Sequence, residues 1–289
     1  MSTISLSSTD TVTSSGASST NDAGSHAARV AEGRLGNRRL VGRQIRYEQA
    51  MFWRNRSRAI SSVALPLMFL VVFNAINGSH HIEELGGVSY ATWFVPGILA
   101  YGLMMATFTN LAVSAAVSRD SGVLKRVRGT GCPPWVFLTG KVISTFITAV
   151  VLVAATMALG IGVYGVSIPW ANVGGFALAL AAGTVCFTVL GLAVTTVIPN
   201  ADAAPAILNL ILLPLTFISG IWMVLADAPR WLSLVAEAFP VRALAHSLQL
   251  AALPTTQAPA VVAADLLTLA LWTVAGTVIA LRWFRWERR

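Results

Sequence analysis

The sequence predicts an all-α polytopic membrane protein with six transmembrane helices, and three observations support this fold class. The 289-residue chain is 55% hydrophobic and only 11% charged, whereas a water-soluble domain carries about 25% charged residues. Six apolar stretches follow residue 58, each near the ~20 residues that a helix needs to cross a bilayer. If all six span, 18 of the 20 Lys and Arg residues lie on one side. Cytoplasmic loops carry such an excess, so we expect a plasma-membrane or inner-membrane protein with both termini in the cytoplasm.

The first 58 residues divide into two segments. Residues 1–28 are rich in Ser, Thr, Ala and Gly and lack Lys, Arg and an apolar core. They do not resemble a cleavable signal peptide, and we expect a disordered tail. Residues 29–58 hold nine Arg residues among apolar residues at spacings of three to four. This pattern predicts an amphipathic helix in the cytoplasmic interface, with a solvated basic leader as the alternative. The apolar residues are Leu40, Val41, Ile45, Tyr47, Met51, Phe52 and Trp53.

The remaining residues, 59–289, form the predicted six-helix transmembrane domain. Each span is an apolar run bounded by polar or turn-forming residues. Pro66 is expected to kink the first span, and Pro214 lies inside the fifth. The predicted spans are residues 59–76, 92–117, 141–164, 173–198, 205–225 and 260–281.

The connections between the spans predict which side is cytoplasmic. Residues 119–141 hold five cations, and the tail 282–289 holds four among aromatic residues. The loop 77–89 holds no Lys or Arg, and the segment 226–259 holds only two, so both are expected outside. Basic residues and interfacial aromatic side chains mark a cytoplasmic boundary. With an odd number of spans, the basic segments would no longer all lie on the cytoplasmic side.

Reactive groups are scarce inside the predicted spans. Asp265 is the only ionisable residue clearly within one, and a charge at mid-helix costs about 2.5–3.5 kcal/mol. It either serves a substrate path or is bonded to a neighbouring residue. Proton-coupled transport uses several intramembrane acids, so one shallow carboxylate argues against a proton-driven antiporter.

The motifs of common enzyme classes are absent from the sequence. There is no nucleophile elbow and no HExxH helix. The phosphate loop GxxxxGK[ST] fails because Gly140-Lys141 is followed by Val142 and position 135 is Trp135. The chain therefore cannot bind and hydrolyse ATP through that motif, and we expect no enzyme activity.

Neither a metal site nor nucleic-acid binding is expected. The external loop holds metal-ligand types, but adjacent residues do not readily face one ion. The net charge of +8 comes from residues that flank apolar spans, where they meet lipid headgroups. Cys132 and Cys186 fall in a loop and a span, so no disulfide is expected. The loop's candidate ligands are His80, His81, Glu83 and Glu84.

The basic loop 119–134 is the most informative connection. Val123, Leu124 and Val127 make an apolar strip at spacings of three and four, with cations on the other face. A short amphipathic helix there either docks into a cytoplasmic partner by its apolar ridge or is an ordinary positive loop.

The chain resembles the membrane subunit of ABC type-2 exporters, the group that includes the daunorubicin-resistance permeases, over about residues 40–289. The loop is similar to the family's acidic–x–Gly–x–Leu–basic stretch before a proline, although Arg119-Asp120 stands where many relatives have a glutamate-rich start. The other points of resemblance are Val95-Pro96-Gly97-Ile98, Phe217-Ile218-Ser219-Gly220-Ile221-Trp222, Pro229, Trp231 and Phe239-Pro240.

The resemblance implies a permease that moves amphipathic drugs or lipids out of the cytoplasm with a separate ATPase subunit. Two copies of that subunit would bind ATP and Mg²⁺, and a second permease copy or a paralogue would complete the pathway. Residues 40–57 would be the connecting helix, and 229–254 would hold re-entrant helices in the outer leaflet. Residues 119–134 would be the coupling helix that contacts the ATPase. Its candidate contact residues are Arg119, Asp120, Gly122, Leu124, Lys125, Arg126, Val127, Arg128, Thr130, Pro133 and Pro134.

Candidate substrate-path residues come from the second and fifth spans, since Met and aromatic side chains re-pack around varied apolar cargo. Ordinary helix packing is the alternative for each of them. An exporter of polysaccharide or glycolipid, a membrane assembly subunit without transport, and a secondary transporter are the other functions left open. The candidate path residues are Tyr101, Met104, Met105, Phe108, Asn110, Asn209, Thr216 and Ser219.

Overall fold

A computed structural model describes residues 39–78, 80–123, 134–224, 229–253 and 259–283. The predicted tail, residues 1–28, lies outside them. The described part of the chain is all-α apart from one small hairpin, as the sequence predicts. Its helices are α1 (39–54), α2 (Arg56–Asn77), α3 (Tyr90–Asp120), α4 (Pro134–Gly162), α5 (Val173–Val194), α6 (Ala204–Ile218), α7 (Arg230–Glu237), α8 (Pro240–Ala252) and α9 (Pro259–Trp283).

Several helices have the length and composition of membrane spans. Among the described residues, four apolar stretches are long enough to cross a bilayer, and Ser62–Asn77 and Ala204–Ile218 are shorter apolar helices. The polytopic membrane fold is therefore confirmed, while the number of six spans stays a prediction. The four long stretches are Tyr90–Asp120, Val136–Gly162, Trp170–Val194 and Val262–Arg282.

Two helix boundaries differ from the predicted ones by about seven residues. α4 begins at Pro134 rather than at Lys141, because proline suits the first turn of a helix, where its missing N–H is not needed. Lys141 therefore lies inside a helix and not at the end of a loop. α6 ends at Ile218, since Gly220 has a φ of 79°, the left-handed conformation that follows many helices.

Helix α3 forms the centre of the bundle. Its segment from Trp93 to Ala100 is buried at every residue, and it packs against α2, α4, α5 and α8. A helix that is apolar on all sides belongs in such a central position. By contrast, α9 lies at the periphery and turns an apolar face outward, as a helix in contact with lipid does. That face consists of Leu267, Leu271, Val274, Val278 and Leu281.

The middle of α3 contains a π-helical turn, Met105–Thr109. Helix α5 approaches this turn through Gly191, where an added Cβ would lie 2.9 Å from the carbonyl oxygen of Phe108. Only glycine allows two backbones to come this close. Single π turns inside α-helices recur at functional sites.

The predicted external loop between α2 and α3 forms a small antiparallel hairpin. Its strands are β1 (His81–Ile82) and β2 (Val88–Ser89), with His81 opposite Ser89. Ser89 then caps α3, because its hydroxyl accepts a hydrogen bond from the Thr92 amide at 3.4 Å. The hairpin thus sets the start of the central helix.

The segment expected to hold re-entrant helices contains α7 and α8. α8 is buried along nearly its whole length, against α3, α5 and α9. α7 instead exposes the apolar side chains of Trp231, Leu234 and Val235. The position of these two helices in the outer leaflet stays a prediction.

Candidate functional site

The candidate site lies at the end of the bundle where α1, the end of α3 and the start of α4 meet. Lys141, in the second turn of α4, is buried here with its side chain 3% exposed. Its Nζ lies 3.1 Å from Glu48 Oε2 of α1 and donates to the hydroxyls of Ser114 (2.6 Å) and Ser118 (3.3 Å) of α3. We call these four residues the Lys141 network. Through it, one ammonium group joins three helices.

Burial makes the Lys141 network energetically important. Removing one partner of a buried ion pair destabilises a protein by about 3–5 kcal/mol, because the other charge is left uncompensated. The Phe137 ring, centred 5.1 Å from Nζ, adds a cation–π contact. In the sequence Lys141 is grouped with the cations of the basic loop, whereas in the structure it binds Glu48 of α1.

A second polar contact holds α1 against α4. Gln49 Nε2 donates to the backbone oxygen of Ser144 at 2.7 Å and lies 3.0 Å from the Ser144 hydroxyl. Gln44 donates to the remaining oxygen of Glu48 at 3.0 Å and lies where a side chain on Gly140 would overlap it. A helix is therefore present over residues 39–54 and is attached to the bundle by polar side chains, while its position in the membrane interface stays a prediction.

The last two residues of α3 hold the turn between α5 and α6. Arg119 donates from Nη1 to the Thr195 carbonyl at 3.2 Å and from Nη2 to the Ile198 carbonyl at 2.6 Å. Asp120 Oδ2 accepts a hydrogen bond from the Ala201 amide at 2.6 Å. We call this pair of residues the Arg119–Asp120 clamp.

The charges of the Arg119–Asp120 clamp match the ends of the helices that they touch. The Arg119 guanidinium lies at the C-terminal end of α5, which carries a negative partial charge. The Asp120 carboxylate lies before the N-terminal end of α6, which carries a positive partial charge. The side chains are only 11% and 18% exposed, and Arg119 Nε lies 3.7 Å from Asp120 Oδ1. Hydrogen bonds to charged groups contribute about 1.5–3 kcal/mol each, so the turn is firmly attached to α3.

The predicted coupling residues fall into two groups. The side chains of Arg119 and Asp120 bind inside the chain, and Gly122, with a φ of 71°, adopts the left-handed conformation just after α3. Pro134 is the first residue of α4. The others lie outside the described residues, so their contact with an ATPase stays a prediction. They are Leu124, Lys125, Arg126, Val127, Arg128, Thr130 and Pro133.

Within the described residues, the predicted substrate-path side chains lie in different surroundings. Met104 and Phe108 are buried in the core, at 1% and 6% exposure. Thr216 and Ser219 are also buried, and their hydroxyls donate to carbonyls one turn earlier. Asn209 is exposed on α6. The buried candidates pack inside a single chain, and their role in a substrate path stays a prediction.

The other three path candidates, Tyr101, Met105 and Asn110, are partly exposed. Tyr101 packs edge-on against Trp222, with ring centroids 5.3 Å apart. Asn110 follows the π-helical turn that begins at Met105 and exchanges hydrogen bonds of 2.8 and 3.1 Å with Ser62 of α2. These contacts connect α3 with α2 and with the residues after α6.

The end of α6 is held by α8 at the opposite side of the bundle. Arg242 Nη1 donates to the Ser219 carbonyl, and Gln249 Nε2 to the Gly220 carbonyl, each at 3.1 Å. Burial lowers the pKa of the Arg242 guanidinium, an effect that Asp265 and Glu237 oppose. Arginines from other helices thus bind the turn before α6 and the residue that follows α6.

Asp265 has a neighbouring partner, as one of the two interpretations of this residue expects. Its Oδ2 lies 2.9 Å from His246 Nδ1 of α8, and the two side chains are 16% and 30% exposed. The sequence gives no sign of this pairing, because 19 residues separate the two. Within the described residues, no group of three His, Cys, Asp or Glu side chains is placed to hold a metal ion.

Comparison with known proteins identifies the chain's relatives at the level of the family. Residues 40–253 match the model of the ABC-2 type transporter family. The match begins in α1 and continues to the end of α8, so it includes the Lys141 network and the Arg119–Asp120 clamp. No curated protein matches the chain.

Proposed function

Because the chain belongs to the ABC-2 type transporter family and is the membrane permease subunit of an ABC transporter, we propose that it exports amphipathic drugs or lipids with energy from a separate ATPase. The chain itself contains no phosphate loop, so ATP and Mg²⁺ would bind to the partner. In this proposal two ATPase subunits serve two permease chains in the cell membrane, with both permease termini in the cytoplasm.

The observation that carries the proposal is the Arg119–Asp120 clamp. It lies at the base of the segment 124–133, where the ATPase would push. Three hydrogen bonds of 2.6 to 3.2 Å join this base to the turn 195–201, which leads into α6. A displacement of the segment would therefore move α3 and the start of α6 together, as coupling through a contiguous network of contacts requires.

The Lys141 network would make α1 part of the same moving unit. Glu48 and Gln49 attach α1 to the start of α4, and Ser114 and Ser118 attach Lys141 to the end of α3. ATP binding must favour one of two arrangements to drive such a switch. The attached parts of α1, α3 and α4 and the turn before α6 would then change position as a group.

A second permease chain would complete the pathway beside α6. Ala204, Leu208, Leu212 and Thr216 form a single buried stripe on this helix. The opposite side is apolar and exposed, with Leu210 at 77%, Leu213 at 54% and Phe217 at 52% exposure. Such a face can contact lipid or a second permease chain. Asn209 is also exposed on α6, which supports a substrate path shared between two chains.

An aromatic cluster around Tyr101 supports the proposed class of cargo. Tyr101, Phe69 and Trp222 form an aromatic cluster with centroids 5.1 to 6.2 Å apart. Aromatic and methionine side chains bind varied apolar surfaces. These groups support an amphipathic drug or lipid as the cargo.

The test is export by the purified permease reconstituted with the ATPase that co-purifies with it. Replacing Leu124 and Val127 with Asp should abolish export of an amphipathic dye and leave membrane insertion intact, because the apolar ridge of the segment would be lost. The control is His80→Asp in the external hairpin, which should export normally. Export by the Leu124→Asp, Val127→Asp double variant at the normal rate would disprove the coupling role of this segment. Dye movement driven by a proton gradient without the ATPase would disprove the proposal as a whole.

A further inference from the structure

A cavity of about 680 Å³ lies between α1, the second half of α3 and the first half of α4. Its polar lining includes the Lys141 network together with Ser144. Its apolar lining includes Phe52, Val117 and Phe137. Small-molecule sites have volumes of about 300–1,000 Å³ and combine an apolar lining with a few polar groups. The cavity therefore has the size and the mixed lining of a site for an amphiphile.

The charge of the lining favours an anion. Among the described residues, its charged lining consists of Glu48, Arg54 and Lys141, and Glu48 is already engaged by Lys141 at 3.1 Å. Arg54, the last residue of α1, lies at the exposed rim and forms no ion pair among the residues that the structure describes. Its planar guanidinium can bind two oxygens of a phosphate at once.

The hydrogen-bonding groups of the cavity also favour an acceptor-rich ligand. The hydroxyl of Ser114 accepts from Lys141, and that of Ser144 accepts from Gln49. Each hydroxyl therefore keeps its hydrogen for another acceptor, and neither donates to a protein atom in the described part of the chain. Phosphate oxygens only accept hydrogen bonds, so a phosphate ester complements these two hydroxyls.

The position of the cavity indicates where the ligand comes from. α1 forms one side, and it exposes Tyr47, Met51 and Trp53, the amphipathic and aromatic side chains found at the level of lipid headgroups. Tyr47 and Met51 also line the cavity. Its opening thus lies on the helix that would rest at the membrane surface, next to the headgroups of one leaflet.

We infer that this cavity binds the phosphate headgroup and first acyl carbons of an anionic phospholipid from the leaflet on the α1 side. Arg54 and the free hydroxyl hydrogens of Ser114 and Ser144 hold the phosphate. Phe52, Val117 and the neighbouring apolar side chains cover the start of the chains. The lipid would lie against the Lys141 network and stabilise the attachment of α1. This inference rests on the membrane location and not on the direction or cargo of transport.

The test measures lipid retention by the purified full-length chain. The chain in detergent is exchanged into micelles that contain phosphatidylglycerol or phosphatidylcholine, and bound lipid is counted by native mass spectrometry. We expect one retained phosphatidylglycerol per chain and at least about tenfold weaker retention of phosphatidylcholine. Arg54→Gln should weaken retention of phosphatidylglycerol about tenfold, which corresponds to about 1.4 kcal/mol. Arg43→Gln, an exposed arginine of the same helix outside the cavity, is the matched control and should retain lipid normally.

A second variant fills the cavity without removing charge. Ser121→Trp, at the exposed rim, should displace the lipid, and a normal thermal midpoint in lipid-free micelles would show that the chain still folds. Equal retention by the wild-type chain, Arg54→Gln and Ser121→Trp would overturn the inference. Binding of free glycerol phosphate as tightly as phosphatidylglycerol would also overturn it, because the apolar side chains of the cavity would then play no part.

Discussion

Nη2 of Arg119 donates a hydrogen bond of 2.6 Å to the carbonyl oxygen of Ile198. The two residues are 79 positions apart in the sequence, and Ile198 is buried at 1% exposure. This contact fixes the end of the central helix to the turn between α5 and α6. In an ABC transporter permease it places the base of the predicted coupling segment in contact with the connection to the exposed helix α6.

Weakening the Arg119–Asp120 clamp should uncouple ATP hydrolysis from export. In Arg119→Gln the two charge-assisted hydrogen bonds to carbonyls are lost, each worth about 1.5–3 kcal/mol. We expect the amount of dye exported per ATP hydrolysed to fall at least about tenfold. Both rates are measured in the same proteoliposomes. Arg230→Gln, an exposed arginine of α7, should keep the normal ratio, and an unchanged ratio in Arg119→Gln would exclude the clamp from coupling.

Removing Lys141 should destabilise the attachment of α1. Lys141→Met leaves Glu48 partly buried without its cation, and we expect the free energy of unfolding to fall by about 3–5 kcal/mol. The double variant Lys141→Met, Glu48→Gln should recover much of this loss, because no buried charge remains. Denaturant unfolding in detergent measures the difference. Equal stability of the single and double variants would show that the ion pair does not hold α1.

The close approach of α5 to the π-helical turn should not tolerate a side chain. Gly191→Val places a Cβ 2.9 Å from the Phe108 carbonyl oxygen, and overpacking of this kind costs about 1–3 kcal/mol. Gly174→Val is the matched control in the same helix, since an added Cβ there meets nothing within 4 Å. Thermal unfolding in detergent should show a lower midpoint for Gly191→Val alone. A similar midpoint for both variants would contradict the backbone contact.

The exposed side of α6 should lie at a permease–permease interface. A photo-cross-linking amino acid at Leu213 should give an adduct of about twice the 30.5 kDa chain mass, because the chain leaves this residue 54% exposed. The same amino acid at Leu271, which is 62% exposed on α9, should react with lipid and remain monomeric. The masses are read by gel electrophoresis of membranes after irradiation. Adducts formed from α9 and not from α6 would place the interface elsewhere.

The fold class could be predicted because long apolar runs and clustered cations are local properties of the sequence. α2, α3, α5 and α9 begin within about three residues of the expected positions for this reason. The predicted start of α4 at Lys141 was wrong. The pair Pro133-Pro134 indicates a loop, but a proline also suits the first turn of a helix.

The partners of the polar residues could not be predicted. Lys141 meets Glu48, and Arg119 meets Ile198, only after the helices pack, and the spacing in the sequence carries no record of either pairing. One signal was available for Lys141, which is the only cation between Pro134 and Gly162. A lone cation inside an apolar helix requires a partner, whereas the location of that partner depends on tertiary structure.

The side of the membrane that carries the segment 124–133 tests the central claim most directly. The chain has two cysteines; Cys132 belongs to this segment, and Cys186 is fully buried. A membrane-impermeant maleimide should therefore label the wild-type chain only after the cells are permeabilised. Ser167→Cys in a Cys132→Ser background, at an exposed position of the opposite connection, should be labelled in intact cells. Labelling of Cys132 in intact cells would place the segment outside, where no ATPase could act on it, and would contradict the account.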